Sequence, residues 1–240
     1  DRLKAYYDGY HFSRRNMVDV YNPYSLVNAL KSKEIINFWA SSGATSLLPK
    51  FVDNAELRLS KFENCSVMRN TLELSDVSGG GAELFLYQSG YLTIKESDEF
   101  GYILGFPNEE VKQALYETVL PALAMRSENE IQSLQAGLYR ELGTGQIDEA
   151  MKSLKALIAD VPYSNKKLAS MDMEERYRLI ISTILNAIGL NVEVERMMAT
   201  GRIDMTVKTS RYIYVIELKL RNNGGKEAAT EQILNRQYME

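Results

Sequence analysis

The sequence predicts an α/β protein, α+β overall: a mainly helical first part, then a smaller core in the order α-β-β-β-α. Two observations carry that prediction. Capped, helically periodic segments dominate up to about residue 160. After that, residues 191–220 hold three runs of alternating or apolar-rich sequence between two helical segments.

Taken in order, residues 1–60 read mostly as helix, with an aromatic opening at Tyr6, Tyr7 and Tyr10. Asn22-Pro23 launches a helix through about Lys33, because Pro is well suited to the first helical position after a capping Asn. Ser78-Gly79-Gly80-Gly81 is a break, after which Ala82–Ser89 is helical and Gly90 ends it. Tyr91–Lys95 and Tyr102–Phe106 are apolar runs joined by Glu96–Gly101, the pattern of a hairpin. Pro107-Asn108-Glu109-Glu110 then opens an amphipathic helix to about Met125. A short helix followed by a hairpin, near 82–125, resembles half of a winged-helix unit, a unit found both in DNA binding and in plain packing. Helices follow at Glu128–Leu142 and Gln146–Ala159. Val161–Ser170, with Pro162, Ser164, Asn165, Lys166 and Lys167, reads as a linker, dividing the chain into 1–162 and 163–240. Beyond it come a helix (about Met171–Gly189), strands at Asn191–Met197, Arg202–Lys208 and Tyr212–Leu220, and a helix from Ala228.

Composition narrows the chemistry. A hydrophobic fraction of 45% and a charged fraction of 25% are those of an ordinary globular protein, and no apolar stretch is long enough to span a membrane as a helix. The lone Cys65 excludes an intrachain disulfide and suits a reducing cytoplasm. One His and one Cys exclude a Cys/His zinc site within the chain, so a metal here must be held by oxygen, which favours Mg²⁺, Mn²⁺ or Ca²⁺. A net charge of −4 argues against non-specific coating of nucleic acid. Between Arg202 and Lys226, however, six basic residues face only Asp204 and Glu217, a local +4.

Those two acids carry the chemistry. In Tyr212–Leu220 alternation places Ile213, Val215, Glu217 and Lys219 on one side of a strand. A turn at Thr209-Ser210 folds the preceding strand back and brings Asp204 against Glu217. Two converging carboxylates can hold a hard cation, and a neighbouring ammonium can orient water or stabilise charge building at a phosphorus centre. Helical phase adds one acid. Tyr177, Ile181, Ile184, Leu185 and Ile188 form an apolar stripe, and Glu174 lies on it, whereas Glu175 is turned about 100° away. An inward carboxylate needs a partner or a metal. The plain alternative is an acid in the first helical turn that complements the helix dipole.

Asp204, Glu217 and Lys219, with Gly-Arg-Ile-Asp at 201–204, Tyr-Val-Ile-Glu-Leu-Lys-Leu at 214–220 and Glu-Ala-Ala-Thr-Glu-Gln-Ile at 227–233, resemble the Asp…Glu-x-Lys signature of the PD-(D/E)XK nuclease superfamily. The similar branch is the nuclease domain found behind an AAA-ATPase-like domain in bacterial proteins. The resemblance implies a restriction-endonuclease-like core with a mixed sheet, Mg²⁺ or Mn²⁺ dependence, and phosphodiester hydrolysis with DNA ahead of RNA as substrate. It implies Asp204, Glu217 and the Leu218 carbonyl as metal ligands, joined by Glu174, with Lys219 as base or charge stabiliser. Gln232 and Tyr238 fit a Gln-x(5)-Tyr that lines such sites, and Arg202, Arg221 and Tyr238 are the expected nucleic-acid contacts. Where that branch often has His after the Tyr of its first helix, this chain has Arg178.

The first part resembles the tail of the same ATPase-like family. Tyr6-Tyr7-Asp8-Gly9-Tyr10, Tyr21–Ser25, Phe38–Gly43, Gln88–Thr93 and Gly105–Asn108 match it in order. The chain holds no G-x-x-x-x-G-K-[ST], so a nucleotide-binding core is expected upstream of Asp1 and a final strand beyond Glu240. The lone His11 reads as a turn or lid residue rather than a catalytic one. Two other readings stand beside the nuclease: a non-catalytic module that grips nucleic acid or protein on the same fold, and a self-associating regulatory domain.

Overall fold

In a computed structural model of the 240-residue chain, residues 2–11, 18–42, 59–73, 77–124, 128–158, 172–198, 201–219 and 225–235 are described. They fall into two compact units, Asp1–Val119 and Leu120–Glu240. The expected linker and the 162/163 boundary lie outside the described residues.

In the first unit the described helices are α1 (Arg2–Tyr7), α2 (Pro23–Ser32), α3 (Arg69–Glu73), α4 (Val77–Gln88) and most of α5 (Glu109–Ala124, whose last residues belong to the second unit), with 3₁₀ turns at Trp39–Ser42 and Leu59–Glu63. Strands β1 (Cys65–Met68), β2 (Thr93–Ser97) and β3 (Gly101–Gly105) form an antiparallel sheet in the order β1-β3-β2. The caps are those the residues dictate. The Asn22 side chain accepts from the Tyr24 and Ser25 N–H groups, and Lys33 ends α2 in the left-handed region. Gly81 breaks the helical path inside α4, as the glycine run requires. The hairpin forms from the two apolar runs, with its strands at Thr93–Ser97 and Gly101–Gly105 rather than Tyr91–Lys95 and Tyr102–Phe106. β1 was not foreseen, since four residues carry too little alternation to read as a strand.

The sequence words of this unit meet in its core. Gly9 takes φ +101, and a Cβ there would lie 2.2 Å from the Pro107 carbonyl oxygen, so Tyr-Asp-Gly-Tyr needs its Gly to pass Gly-Phe-Pro-Asn. Lys95 Nζ ties the two together, donating to the Gly9 and Pro107 carbonyls. Trp39 meets Tyr91 edge to face at 4.6 Å, and Glu110 Oε1 accepts from the Phe38 and Trp39 N–H groups at 2.8 and 2.9 Å. Tyr7 is fully buried, with its hydroxyl donating to Ile36. His11 bridges the Ile94 carbonyl and Asp19, a structural placement in this unit.

The second unit holds α6 (Glu128–Thr144), α7 (Ile147–Ile158), α8 (Met173–Ala187), β4 (Asn191–Met198), β5 (Gly201–Lys208), β6 (Ile213–Ile216) and α9 (Gly225–Asn235). Asp172 caps α8 by accepting from the Glu174 and Glu175 N–H groups. The α-β-β-β-α order is as expected, and the sheet runs β4-β5-β6. Both sheets are antiparallel, and the parallel strand a mixed sheet requires is not among the described residues. Two boundaries move. β6 ends at Ile216 rather than Leu220, because the Leu218 N–H goes to the Asp204 carboxylate instead of the ladder. Helix α9 begins at Gly225, three residues before Ala228. α6 joins this unit through the Tyr214 hydroxyl, which donates to the Leu142 carbonyl at 2.6 Å. Gly145, at φ +79, packs its Cα against the Tyr212 ring.

Candidate metal centre

Central strand β5 is buried on both faces, since Ile203, Asp204, Met205, Thr206 and Val207 are all removed from solvent. A carboxylate there must be partnered or neutralised. Asp204 is partnered at both oxygens: Oδ2 accepts the Leu218 N–H at 2.9 Å, and Oδ1 takes Arg178 Nη2 of α8 at 2.9 Å. Register brings Glu217 to the same place. Met205 pairs with Ile216 and Thr206 with Val215, so one step beyond β6 sets Glu217 opposite Asp204.

The two carboxylates are held differently. The Glu217 side chain is 1% exposed; Lys219 Nζ stands 3.3 Å from its Oε1, while its Oε2 is buried with no hydrogen-bond partner. Burial, then the negative charge of Asp204, push the Glu217 carboxyl above the ordinary carboxylate range, against the pull of Lys219 and the Asp204 backbone N–H. Arg178, 13% exposed, spans two acids: Nη1 meets Glu195 Oε1 at 2.9 Å while Nη2 holds Asp204. Glu195 itself takes a left-handed φ of 55 inside β4, an uncommon conformation for a residue with a Cβ. Three acids and two cations thus share the cluster, leaving a formal charge of −1.

Beside it lies a mostly apolar cavity of about 550 Å³. Leu142, Met151, Ile181, Tyr214 and Ile233 are among its lining, with Glu217 and Lys219 in its wall.

A family model described as the PD-(D/E)XK nuclease superfamily matches residues 172–240, from the cap of α8 through α9 and beyond. Residues 172–240 form a PD-(D/E)XK nuclease superfamily domain. The chain is also similar to an "Uncharacterized protein in vnfD 5'region" of Azotobacter chroococcum mcd 1, 27% identical over 251 residues. That similarity covers 99% of this chain and 46% of the relative, so the chain spans about half the length of the curated relative it matches. No solved structure matches the chain.

Within the superfamily domain, Asp204, Glu217 and Lys219 come together as alternation and the hairpin turn implied, and Leu218 meets Asp204 through its N–H. Glu174 does not join them: among the described residues no three acid, His or Cys side chains gather to hold a metal. It sits half-buried in the first turn of α8, and Arg178, one turn on, is the α8 residue that reaches Asp204. Gln232 is half-buried on α9 but is not among the residues lining the cavity, which takes Ala229 and Ile233 from that helix. Arg221 and Tyr238, and the side chain of Arg202, lie outside the described residues. Arg178 and Glu195 were missed as site members. The signal for Arg178 was in the sequence: it lies four residues after Glu174 and three before Ile181, on the inward stripe, where a cation needs a carboxylate.

Proposed function

We propose that the 172–240 domain is a metal-dependent nuclease that hydrolyses phosphodiester bonds, in DNA ahead of RNA. The observation that carries this reading is the pairing of Asp204 with Glu217, whose buried Oε2 lacks a partner, beside the Lys219 ammonium. An orphaned carboxylate oxygen next to a second carboxylate is the donor chemistry a hard divalent cation needs, so Mg²⁺ or Mn²⁺ fits. Asp204, Glu217 and the Leu218 carbonyl would hold it, and when bound it supplies Lewis acidity toward a phosphoryl oxygen.

The remaining work falls to the chain. Burial of Glu217 keeps its carboxylate dehydrated, and the Leu218 N–H fixes the orientation of Asp204. Lys219, whose side chain is 23% exposed, can reach a water or the charge developing on phosphorus. The resemblance of residues 1–160 to an ATPase tail supports a further proposal, that the nuclease works together with an ATPase-like domain.

Incubation of the protein with plasmid and single-stranded DNA in Mn²⁺ tests the reading. Cleavage by the wild type that falls at least a hundredfold in Lys219→Ala is expected; cleavage unchanged by that substitution, or none at all, refutes it. A second reading, a non-catalytic binding module, is favoured by one fact: both candidate ligand carboxylates, Asp204 and Glu217, already have internal cations. It predicts DNA retention that is indifferent to metal.

A further inference from the structure

We propose that Arg178 is a built-in counter-cation that occupies Asp204 in the metal-free protein, and that a divalent ion can enter only by displacing it. The inference rests on the reading of Asp204 and Glu217 as a metal site. Each oxygen of Asp204 is already spoken for, one by the Leu218 N–H and one by Arg178 Nη2. The Leu218 bond is main chain and fixed by the end of β6. The Arg178 contact is made by a long side chain with four rotatable bonds, so it is the one that can yield.

Two features make the guanidinium suited to the task. Its second fork nitrogen is held by Glu195, whose side chain is 46% exposed, so on leaving Asp204 it keeps a charged partner and does not enter an apolar space alone. Its Nε is buried without a partner, so the side chain is not locked by a full set of bonds. A fixed positive charge on the ligand oxygen repels an incoming dication and must be moved before coordination. Metal affinity is therefore set by the ease of moving Arg178 as well as by the ligands. No residue of the Asp…Glu-x-Lys signature performs this role, since Lys219 faces Glu217.

The test measures binding of Mn²⁺ alone, by loss of the free-ion electron paramagnetic resonance signal, to the full chain without nucleic acid. Arg178→Gln is expected to bind Mn²⁺ at least about tenfold more tightly than the wild type, because a charge contact on the ligand has gone. Arg178→Lys, which keeps the charge but cannot span both acids, falls between. Lys208→Gln removes a cation paired with Glu193 at 2.6 Å, away from Asp204, and should change affinity less than twofold. Equal or weaker binding by Arg178→Gln, or an equal gain in Lys208→Gln, overturns the proposal. If Arg178→Gln does not fold, the wild-type Mn²⁺ complex decides: the 2.9 Å Arg178–Asp204 contact must be broken in it. Failure of the underlying site reading looks different: Asp204→Asn and Glu217→Gln would then bind Mn²⁺ as the wild type does, or no variant would bind it, and the displacement model falls too.

Discussion

Replacing Glu217 by Gln should stabilise the metal-free protein while removing its response to metal. At 3.3 Å, the attraction between Lys219 and Glu217 is about 5 kcal/mol at an effective dielectric of 20, and the 23% exposure of Lys219 lets solvent reduce it. Against it stand the several kcal/mol needed to dehydrate a carboxylate whose side chain is 1% exposed, and about 1–3 kcal/mol for an oxygen without a partner. The balance is visible in the direction of titration, since burial and Asp204 hold the Glu217 carboxyl above its ordinary range despite Lys219. An acid raised in this way binds its proton more tightly folded than unfolded, so its ionisation works against the fold at neutral pH. A neutral isostere should therefore gain about 1 kcal/mol in EDTA, about 2–4 °C in melting temperature for a chain of this size. Mn²⁺ at a hundred times its Kd should stabilise the wild type by about 2.7 kcal/mol and leave Glu217→Gln unmoved. Differential scanning fluorimetry at pH 7.5, with EDTA and with Mn²⁺, reads both effects. A variant that melts below the wild type in EDTA refutes the electrostatic reasoning, and one that gains as much from Mn²⁺ refutes the ligand assignment.

Two further perturbations address the scaffold. Glu110 is fully buried, and burial raises its carboxyl above the ordinary range despite the bonds it accepts from the Trp39 and Phe38 N–H groups. The folded state then holds the proton more tightly, so the stability Glu110 contributes is complete below the unfolded pKa and is lost as pH rises through the folded one; melting curves of the wild type should fall across that window, and those of Glu110→Gln should fall less. Gly145→Ala places a Cβ 2.9 Å from Tyr212 Cζ in a left-handed conformation, and should cost about 2 kcal/mol in urea unfolding; a cost below about 0.5 kcal/mol would show that the α6–α7 turn yields.

The parts legible in the sequence were those fixed by local periodicity and by short loops. Helix α8 and the hairpin β4–β5 each run eight residues or more, long enough for their period to show. The convergence of Asp204 on Glu217 needed only an antiparallel turn, because pairing across a tight hairpin is arithmetic in residue number. What escaped depended on contacts from distant segments. Arg178 bridges Asp204 and Glu195 from a separate helix, so its phase marks it as inward without naming the acids it meets, and the left-handed φ of Glu195 has no local turn signal. Periodicity fixes a face of α8 and not which residue along it reaches the sheet; the α8 residue that meets Asp204 is Arg178, one turn beyond Glu174. The early end of β6 follows from a side chain, Asp204, competing for a backbone donor, which a propensity for strand does not register.

The charge pattern also explains why a motif comparison reads this site incompletely. Glu-x-Lys carries its own counterion, because alternation along one strand sets the ammonium beside the carboxylate two residues away. Asp204 has no such neighbour within the signature, yet it is buried on the central strand and must be balanced whenever no divalent ion is bound. Some residue outside the signature has to supply that charge, and the helix crossing the sheet is the nearest source. In this chain the residue is Arg178, at a position where the similar branch often carries His. A guanidinium remains charged at any pH at which the protein folds, whereas an imidazole loses its charge near neutrality. Arg178→His should therefore leave Asp204 balanced at pH 5.5 but unbalanced at pH 8, giving a variant whose melting temperature, relative to the wild type in EDTA, drops between those two values. A parallel pair of curves would show that Asp204 is balanced by something other than residue 178.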